Sequence, residues 1–212
     1  AVIDLPVINN LHGDSYNYTE GEGPVLIDQG TAVVVTDNDS ADFDTGTLTV
    51  DIVSGGDDAE DILAVQNQGT GAGQIGVSGS NITYEGTTIG SFTGGSSGVA
   101  LVITLNANAD TTAVTALVQN ITYENIDTIS ATETVRHIDF QLTDGDGGTS
   151  LVRSTSINVG VSNNAPVISA AAGGDTYIEN GTGTYIENAL TITDGDSVDF
   201  FGGMLTTDIV TN

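Results

Sequence analysis

Two short acidic loops of nearly the same sequence carry the residues best suited to bind a metal ion. Asp37 and Asp39 alternate in the first loop, and Asp194 and Asp196 alternate in the second. Alternate acids in one turn can direct two carboxylates at the same point. Calcium takes about six to eight oxygen ligands, which carboxylates, backbone carbonyls and water can supply, whereas magnesium demands a stricter octahedron. The spacing therefore predicts a calcium site at each loop.

Other acidic residues are candidate ligands because they also lie in turns or near the starts of repeated segments. Asp144 and Asp146 stand in the turn formed by residues 144–148, which alternates Asp with Gly. The remaining candidates are Glu20, Glu60, Asp61, Glu124 and Glu179. The alternative for these positions is that they bind no metal. Asp and Gly are ordinary turn formers, and residues 57–61 could be a solvated loop.

The charge balance excludes several classes of partner. The chain has 212 residues with 29 acidic and 2 basic side chains, a formal charge of −27, and no cysteine. A surface this negative repels phosphate backbones and anionic membranes, and without cysteine there is no disulfide or zinc–thiolate site. So many carboxylates require either bound cations or screening by strong salt. Halophilic adaptation without a specific metal is therefore the alternative to calcium.

Little in the sequence indicates catalysis. The only histidines are His12 and His137, and His137 alternates with the apolar residues of 138–142, which predicts that it points away from their face. Paired acids could imitate a glycosidase, but the chain has no tryptophan to line a sugar cleft. We therefore predict that the protein is not an enzyme.

The elements that position the acidic loops are mostly short strands. Two-residue periodicity with Val, Ile and Thr predicts strands over residues 32–36, 48–53, 99–105 and 157–161. Residues 134–161 are predicted to form a hairpin that turns at 144–148. A turn centred near Asp146 would place Arg153 opposite Asp139 as a cross-strand ion pair.

Only one segment has helical periodicity. Residues 110–119 place Val114, Leu117 and Val118 on one face, and Asp110 is suited to cap the amino end. Many short strands with frequent turns and one short helix predict an all-β sandwich.

An internal repeat organises the chain. Residues 5–8 recur in part at 165–168, and residues 36–53 align without a gap on 193–210, with 12 of 18 positions identical. The sequence therefore predicts the tail of a preceding unit at residues 1–5, a complete repeat at 6–164, and the first part of a second repeat at 165–212. Such a partial repeat must bury its apolar face on something.

The combination of several motifs resembles the cadherin-like repeats of large bacterial calcium-dependent surface adhesins. The motifs are Tyr18-Thr19-Glu20-Gly21, Val34-Val35-Thr36-Asp37-Asn38-Asp39-Ser40, Glu60-Asp61-Ile62-Leu63, Ile121-Thr122-Tyr123-Glu124-Asn125, Phe140-Gln141-Leu142-Thr143-Asp144-Gly145-Asp146 and Asn163-Asn164-Ala165-Pro166-Val167. The resemblance implies tandem Ig/cadherin-like sandwiches with calcium at their junctions.

The resemblance also implies a grouping of the candidate ligands. Asp144 and Asp146 should lie beside Asp37 and Asp39 at one end of the repeat. Glu20, with Glu60 or Glu124, should face the following junction, where Asn164, Asp194 and Asp196 lie.

The function predicted from these observations is mechanical. We expect an extracellular, cell-surface module that acts as a spacer repeat and that calcium makes rigid. Its expected partners are neighbouring repeats, copies of itself, surface glycans or other cells. Nucleic acid and the interior of a membrane are not expected partners. One alternative is a self-assembling filament protomer whose partial repeat is completed by a neighbouring chain. Another is a carbohydrate-binding module, which would need an exposed aromatic platform.

Overall fold

The chain divides into two compact units. The computed structural model describes residues 4–170, 178–184, 189–197 and 199–209. Unit 1 is Ala1–Val161 and unit 2 is Ser162–Asn212. These units are defined by packing and not by sequence similarity, so the repeat limits at 6–164 and 165–212 stay a prediction.

Unit 1 is built from short strands and one helix. Its elements are β1 (Val7–Asn9), β2 (Ser15–Thr19), β3 (Val25–Leu26), β4 (Val34–Thr36), β5 (Thr47–Ser54), β6 (Asp61–Val65), β7 (Ile75–Ser78), β8 (Asn81–Tyr84), β9 (Thr87–Thr93), β10 (Leu101–Leu105), α1 (Thr111–Gln119), β11 (Ile121–Asn125), β12 (Val135–Leu142) and β13 (Arg153–Gly160). The four segments predicted as strands are confirmed, with ends that differ by a few residues.

The strands of unit 1 form a sandwich. Eight of them make one sheet in the order β2-β13-β12-β5-β10-β9-β8-β7, three make a second sheet in the order β3-β11-β6, and β1 pairs with β4. Tyr18 of the large sheet and Tyr123 of the small sheet pack edge to face, with ring centroids 5.2 Å apart. The fold is an all-β sandwich with one short helix, which confirms the predicted fold class.

Strand β12 shows how alternation fills the core. Ile138, Phe140 and Leu142 are fully buried, whereas His137, which directly precedes Ile138, is exposed, as the two-residue period predicts. Arg136 lies two residues before Ile138 and therefore points to the same buried face, and it is the largest fully buried side chain among the described residues. A cation therefore lies inside the sandwich.

The predicted helix and its cap are confirmed. The Asp110 carboxylate accepts a hydrogen bond from the Ala113 backbone N–H at 2.8 Å, which satisfies one donor of the first turn. The buried face is Ala113, Val114, Leu117 and Val118. The backbone N–H of Val35 donates to the Thr115 hydroxyl at 2.9 Å. This bond ties the helix to β4, the strand that leads directly into Asp37.

The predicted ion pair between Arg153 and Asp139 is wrong by one residue of register. In the β12–β13 ladder, Asp139 lies opposite Ser154 and Phe140 lies opposite Arg153. A slip of one residue turns a side chain to the other face of a sheet. Ser154 accordingly donates to Asp139 at 2.6 Å, and the Arg153 guanidinium donates to the Ile8 carbonyl at 2.8 Å.

Unit 2 contains a small ladder among its described residues. Strand β14 (Val167–Ser169) pairs antiparallel with β15 (Thr191–Thr193). The loop with Asp194 and Asp196 follows β15, just as the loop with Asp37 and Asp39 follows β4. The second acidic loop therefore has the same supporting strand pair as the first.

Candidate metal centre

The loop after β4 folds back on its first residue. One carboxylate oxygen of Asp37, Oδ1, accepts the backbone N–H of Asp39 at 3.2 Å and that of Ser40 at 3.3 Å. The Asp39 carboxylate in turn accepts the backbone N–H of Asp4 at 3.0 Å. The other oxygen of Asp37, Oδ2, is buried and has no hydrogen-bond partner among the described residues. A buried carboxylate oxygen without a protein donor is suited to bind a cation.

Electrostatics in this loop disfavour a second negative charge. Burial raises the pKa of the Asp37 carboxyl, and the neighbouring Asp39 carboxylate raises it further. Both effects penalise the ionised form of Asp37. A divalent cation beside the two carboxylates would offset this penalty.

The hairpin loop between β12 and β13 lies against the same loop. Asp144 is buried, and its Oδ1 accepts the backbone N–H groups of Asp146, Gly147 and Gly148 at 2.8, 3.0 and 2.9 Å. The Ser40 hydroxyl donates to the Asp146 carboxylate at 3.4 Å. The structure thus brings the Asp144–Asp146 loop to the Asp37–Asp39 loop, at the end of unit 1 where Asp4 enters.

Gly148 leaves space for two oxygens at this end. A Cβ atom at Gly148 would lie 2.1 Å from Oδ2 of Asp144 and 2.8 Å from the backbone carbonyl oxygen of Asp4. Any larger residue would displace one of them. The glycine therefore permits a carboxylate and a carbonyl oxygen to approach the same point.

Unit 2 repeats the geometry of the first loop. The backbone N–H of Asp196 donates to the Asp194 carboxylate at 3.4 Å, and the backbone N–H of Asn164 donates to the Asp196 carboxylate. The second carboxylate oxygen of Asp196 is buried and has no hydrogen-bond partner in the part of the chain that the structure describes. Asn164 and Asp196 stand where Asp4 and Asp39 stand in unit 1, so the same two bonds form twice.

The two carboxyls of the second loop titrate as a pair. A hydrogen bond with the Asp196 carboxyl is the main cause that raises the pKa of Asp194. The backbone N–H of Asn164 is the main cause that lowers the pKa of Asp196. Asp194 is therefore the acid of this pair that holds a proton more readily when no cation is bound.

Glu60 and Asp61 lie in a different environment, around the buried Arg136. The Arg136 Nε lies 3.1 and 3.2 Å from the two oxygens of Asp61, and the Arg136 Nη2 lies 3.5 Å from Oε2 of Glu60. The Tyr123 hydroxyl donates to Asp61 at 2.6 Å, and Asn125 donates to both carboxylates. Both oxygens of Glu60 and both oxygens of Asp61 therefore have donors within the protein, whereas Oδ2 of Asp37 has none among the described residues.

This network organises the loop after β11. The Arg136 guanidinium donates to the carbonyl of Thr132, and the Thr132 backbone N–H donates to Glu60 at 2.9 Å. Burial and the Asp61 charge raise the pKa of Tyr123, so this hydroxyl stays protonated and remains a donor. The sequence contained the signal for Arg136, because it has the parity of Ile138 and Phe140 on β12.

Glu20 and Glu124 belong to unit 1, and Glu179 belongs to unit 2. Glu20 is buried; its carboxylate accepts the backbone N–H of Ala131 at 3.1 Å, and its own N–H donates to the carbonyl of Gly160 at 3.0 Å. Glu20 therefore lies where the chain leaves unit 1. Glu124 lies opposite Ile62, on the face of β11 that alternation separates from Tyr123, and Glu179 is exposed.

The described residues offer pairs of acidic ligands and not a complete cage. Among them there is no group of three or more His, Cys, Asp or Glu side chains arranged to hold a metal ion. Both oxygens of Asp144 accept backbone amides, which leaves Asp37 with Asp39, and Asp194 with Asp196. Calcium accepts such a pair when backbone oxygens and water complete its shell, so the oxygen-only donor set fits that ion.

Comparison with known proteins adds no family assignment. No protein-family model matches the chain, and none of the curated proteins is significantly similar to it. In the described part of the chain, no helix is both long and apolar enough to span a membrane. The fold and the two acidic loops are therefore the features that indicate a function.

Proposed function

We propose that this chain is a non-enzymatic, extracellular structural module of cadherin-like type, in which calcium makes the ends of the repeats rigid. It would serve as a spacer of a surface adhesin or extracellular fibre. The observation that carries the proposal is the repeated geometry of Asp37 with Asp39 and Asp194 with Asp196. Each loop forms the same two backbone hydrogen bonds. Among the described residues, each loop also has one buried carboxylate oxygen without a donor, on the first acid (Asp37) in unit 1 and on the second acid (Asp196) in unit 2.

The residues of the first loop would hold the ion and transmit its effect to the chain. Calcium bound there would supply positive charge between Asp37 and Asp39. Asp39 also accepts the backbone N–H of Asp4, so the carboxylate that binds the ion holds the segment that enters unit 1. Without the ion, repulsion between the two carboxylates favours opening of the loop and releases Asp4. This coupling links ion occupancy to the orientation of the entering segment.

The affinity expected for these sites is weak. A site with two carboxylates on exposed loops belongs with extracellular modules, which bind calcium with Kd of about 10⁻⁴–10⁻³ M. At about 10 mM calcium, such a site stabilises the folded state by about 1.4–2.7 kcal/mol. For a unit of this size, that corresponds to a rise in Tm of about 4–8 °C.

A thermal melt with calcium and with chelator at constant ionic strength tests the proposal. We expect Tm to be higher in 10 mM calcium by the amount given above (about 4–8 °C), and magnesium to raise it less because its octahedron is stricter. Circular dichroism or calorimetry measures the transition. A Tm that follows sodium chloride and ignores the chelator would refute the proposal in favour of halophilic adaptation.

A charge-matched pair of variants distinguishes a specific site from general screening. Asp37→Asn and Glu133→Gln each remove one negative charge, but Glu133 is exposed and lies outside the acidic loops. We expect Asp37→Asn to reduce the calcium-induced rise in Tm and Glu133→Gln to leave it unchanged. Equal effects of the two variants would indicate that calcium acts only as a counter-ion.

A further inference from the structure

Unit 2 exposes the counterparts of core residues of unit 1. The internal repeat aligns apolar positions of the two units, and their burial is opposite. Exposed fractions are 53% for Ile168 against 1% for Ile8, 39% for Ile192 against 3% for Val35, 50% for Phe200 against 0% for Phe43, and 59% for Leu205 against 0% for Leu48. We call the four residues of unit 2 the acceptor surface. Side chains that are core in one repeat are on the surface of the next.

The acceptor surface belongs to a segment whose first strand pair and following turn match those of unit 1. Val167 pairs with Thr193 as Val7 pairs with Thr36, so β14–β15 has the register of β1–β4. The turn that follows is also reproduced. Gly203 donates its backbone N–H to the Phe200 carbonyl at 2.8 Å, as Gly46 does to Phe43 at 2.9 Å. The exposure is therefore not the result of a different local fold.

Unit 1 shows what covers these positions. Strand β5 lies between β10 and β12, and Leu48 is opposite Ile103 on one side and Leu142 on the other. The corresponding residues of unit 2, 204–209, are not a strand in the structure. An isolated strand has no ladder to join, so the same sequence stays irregular without its neighbours.

One glycine indicates how close the missing neighbour comes. A Cβ atom at Gly46 would lie 2.3 Å from the carbonyl oxygen of Thr143, just after β12. For its counterpart Gly203, the three atoms nearest to such a Cβ all belong to Phe200, the closest at 3.0 Å, and Gly46 has the same contact with the Phe43 carbonyl oxygen at 3.0 Å. Nothing described around Gly203 corresponds to Thr143. The glycine is thus present in unit 2 without the backbone that makes it necessary in unit 1.

We propose that the acceptor surface docks a polypeptide segment with the residue pattern of β10 and β12, one strand on each side of residues 204–209. The occupant is a repeat-type segment that is not already folded into a unit. A second copy of this chain would have to withdraw its own β10 and β12, which are hydrogen-bonded to its own β5. The proposal does not depend on calcium, because it rests on apolar burial and backbone approach.

The test uses the full chain and a version extended after Asn212 by a copy of residues 56–161. In the extended chain, amide hydrogen exchange of residues 199–209 should slow by at least about 100-fold, since these amides would join a ladder. Calorimetry should show additional cooperative unfolding. Unchanged exchange in calcium and in chelator would overturn the proposal.

Two further measurements complete the test. Gly203→Val in the extended chain should abolish the added protection, whereas Gly183→Val should not, because no atom lies within 4 Å of a Cβ at Gly183. Full protection in Gly203→Val would refute docking in the register of unit 1. Light scattering of the unextended chain should report a monomer; an oligomer with protected residues 199–209 would make a second copy the occupant and overturn the assignment.

Discussion

Replacement of Arg136 by methionine should destabilise unit 1 more than any other change of a charged residue on β12. The Arg136 side chain is 0% exposed and pairs with Asp61, whose side chain is 3% exposed, and with Glu60, at 14%. Methionine keeps much of the apolar stem but removes the charge. Two carboxylates would then remain in a largely buried site without their cation.

The size of the effect follows from this burial. Removal of one partner from a buried ion pair costs about 3–5 kcal/mol. A unit of about 160 residues has an unfolding entropy of about 0.34 kcal/mol/K, so each kcal/mol lowers Tm by about 3 °C. We therefore expect Arg136→Met to lower Tm by about 9–15 °C.

Arg153→Met is the matched control, because the chain has only two basic residues. Arg153 is partly exposed, and among the described residues its side chain donates to the Ile8 carbonyl. Its loss should cost about 1 kcal/mol, or about 3 °C. Calorimetry and urea denaturation measure both variants. Equal decreases in Tm for Arg136→Met and Arg153→Met would refute the reasoning that burial of the ion pair determines how much stability is lost.

A double-mutant cycle tests the network itself. Asp61→Asn should destabilise the wild type, because it leaves the guanidinium with less negative charge. In the Arg136→Met background the same change should stabilise, because it removes a buried carboxylate without a cation. If Asp61→Asn has the same sign in both backgrounds, the carboxylate is not held by Arg136.

Three further outcomes are expected from the acidic loops. Asp37→Asn should raise Tm in chelator and lower it in calcium, because it removes repulsion in one case and a ligand in the other; a shift of the same sign in both melts would contradict this. In metal-free buffer, the raised pKa of Asp37 contributes stability that is present below its unfolded pKa of about 3.9 and lost as pH rises through the folded value. The urea midpoint of Asp37→Asn should therefore increase relative to that of the wild type as pH rises. A difference between the two midpoints that stays constant with pH would count against the pKa assignment. Gly148→Ala should cost about 1–3 kcal/mol by displacing the Asp144 carboxylate from its amide donors, measured against Gly160→Ala, where the nearest atom is 3.9 Å away.

The local elements could be predicted because their signals are local. The helix with its Asp110 cap and the alternation of β12 depend on neighbouring residues in the sequence, and both are confirmed. The register of the last hairpin could not be predicted to the residue. Its loop runs over residues 143–152 and includes an isolated bridge from Thr143 to Thr149, which does not follow a simple tight turn.

The same distinction between local and long-range signals applies to the candidate site. Spacing alone located the Asp37–Asp39 and Asp194–Asp196 loops, since both acids of each pair lie in one turn. The environment of Glu60 and Asp61 depends on Arg136, 75 residues further along the chain from Asp61. Contacts across that separation arise from how the sheets pack, so spacing could not distinguish a buried ion pair from a metal ligand.

The parallel pairing of β2 with β13 determines how unit 1 would respond to tension on its ends. Ser15–Thr19 and Ser156–Gly160 run side by side in the same direction at five paired positions. Force on the amino end first loads the β1–β4 pair and, once that pair has opened, pulls β2 backwards along its axis, while force on the carboxyl end pulls β13 forwards. The ladder is then loaded in shear, and its hydrogen bonds must break together and not one after another. Mechanical strength of this kind comes from strand direction, and it would be present with or without bound ions.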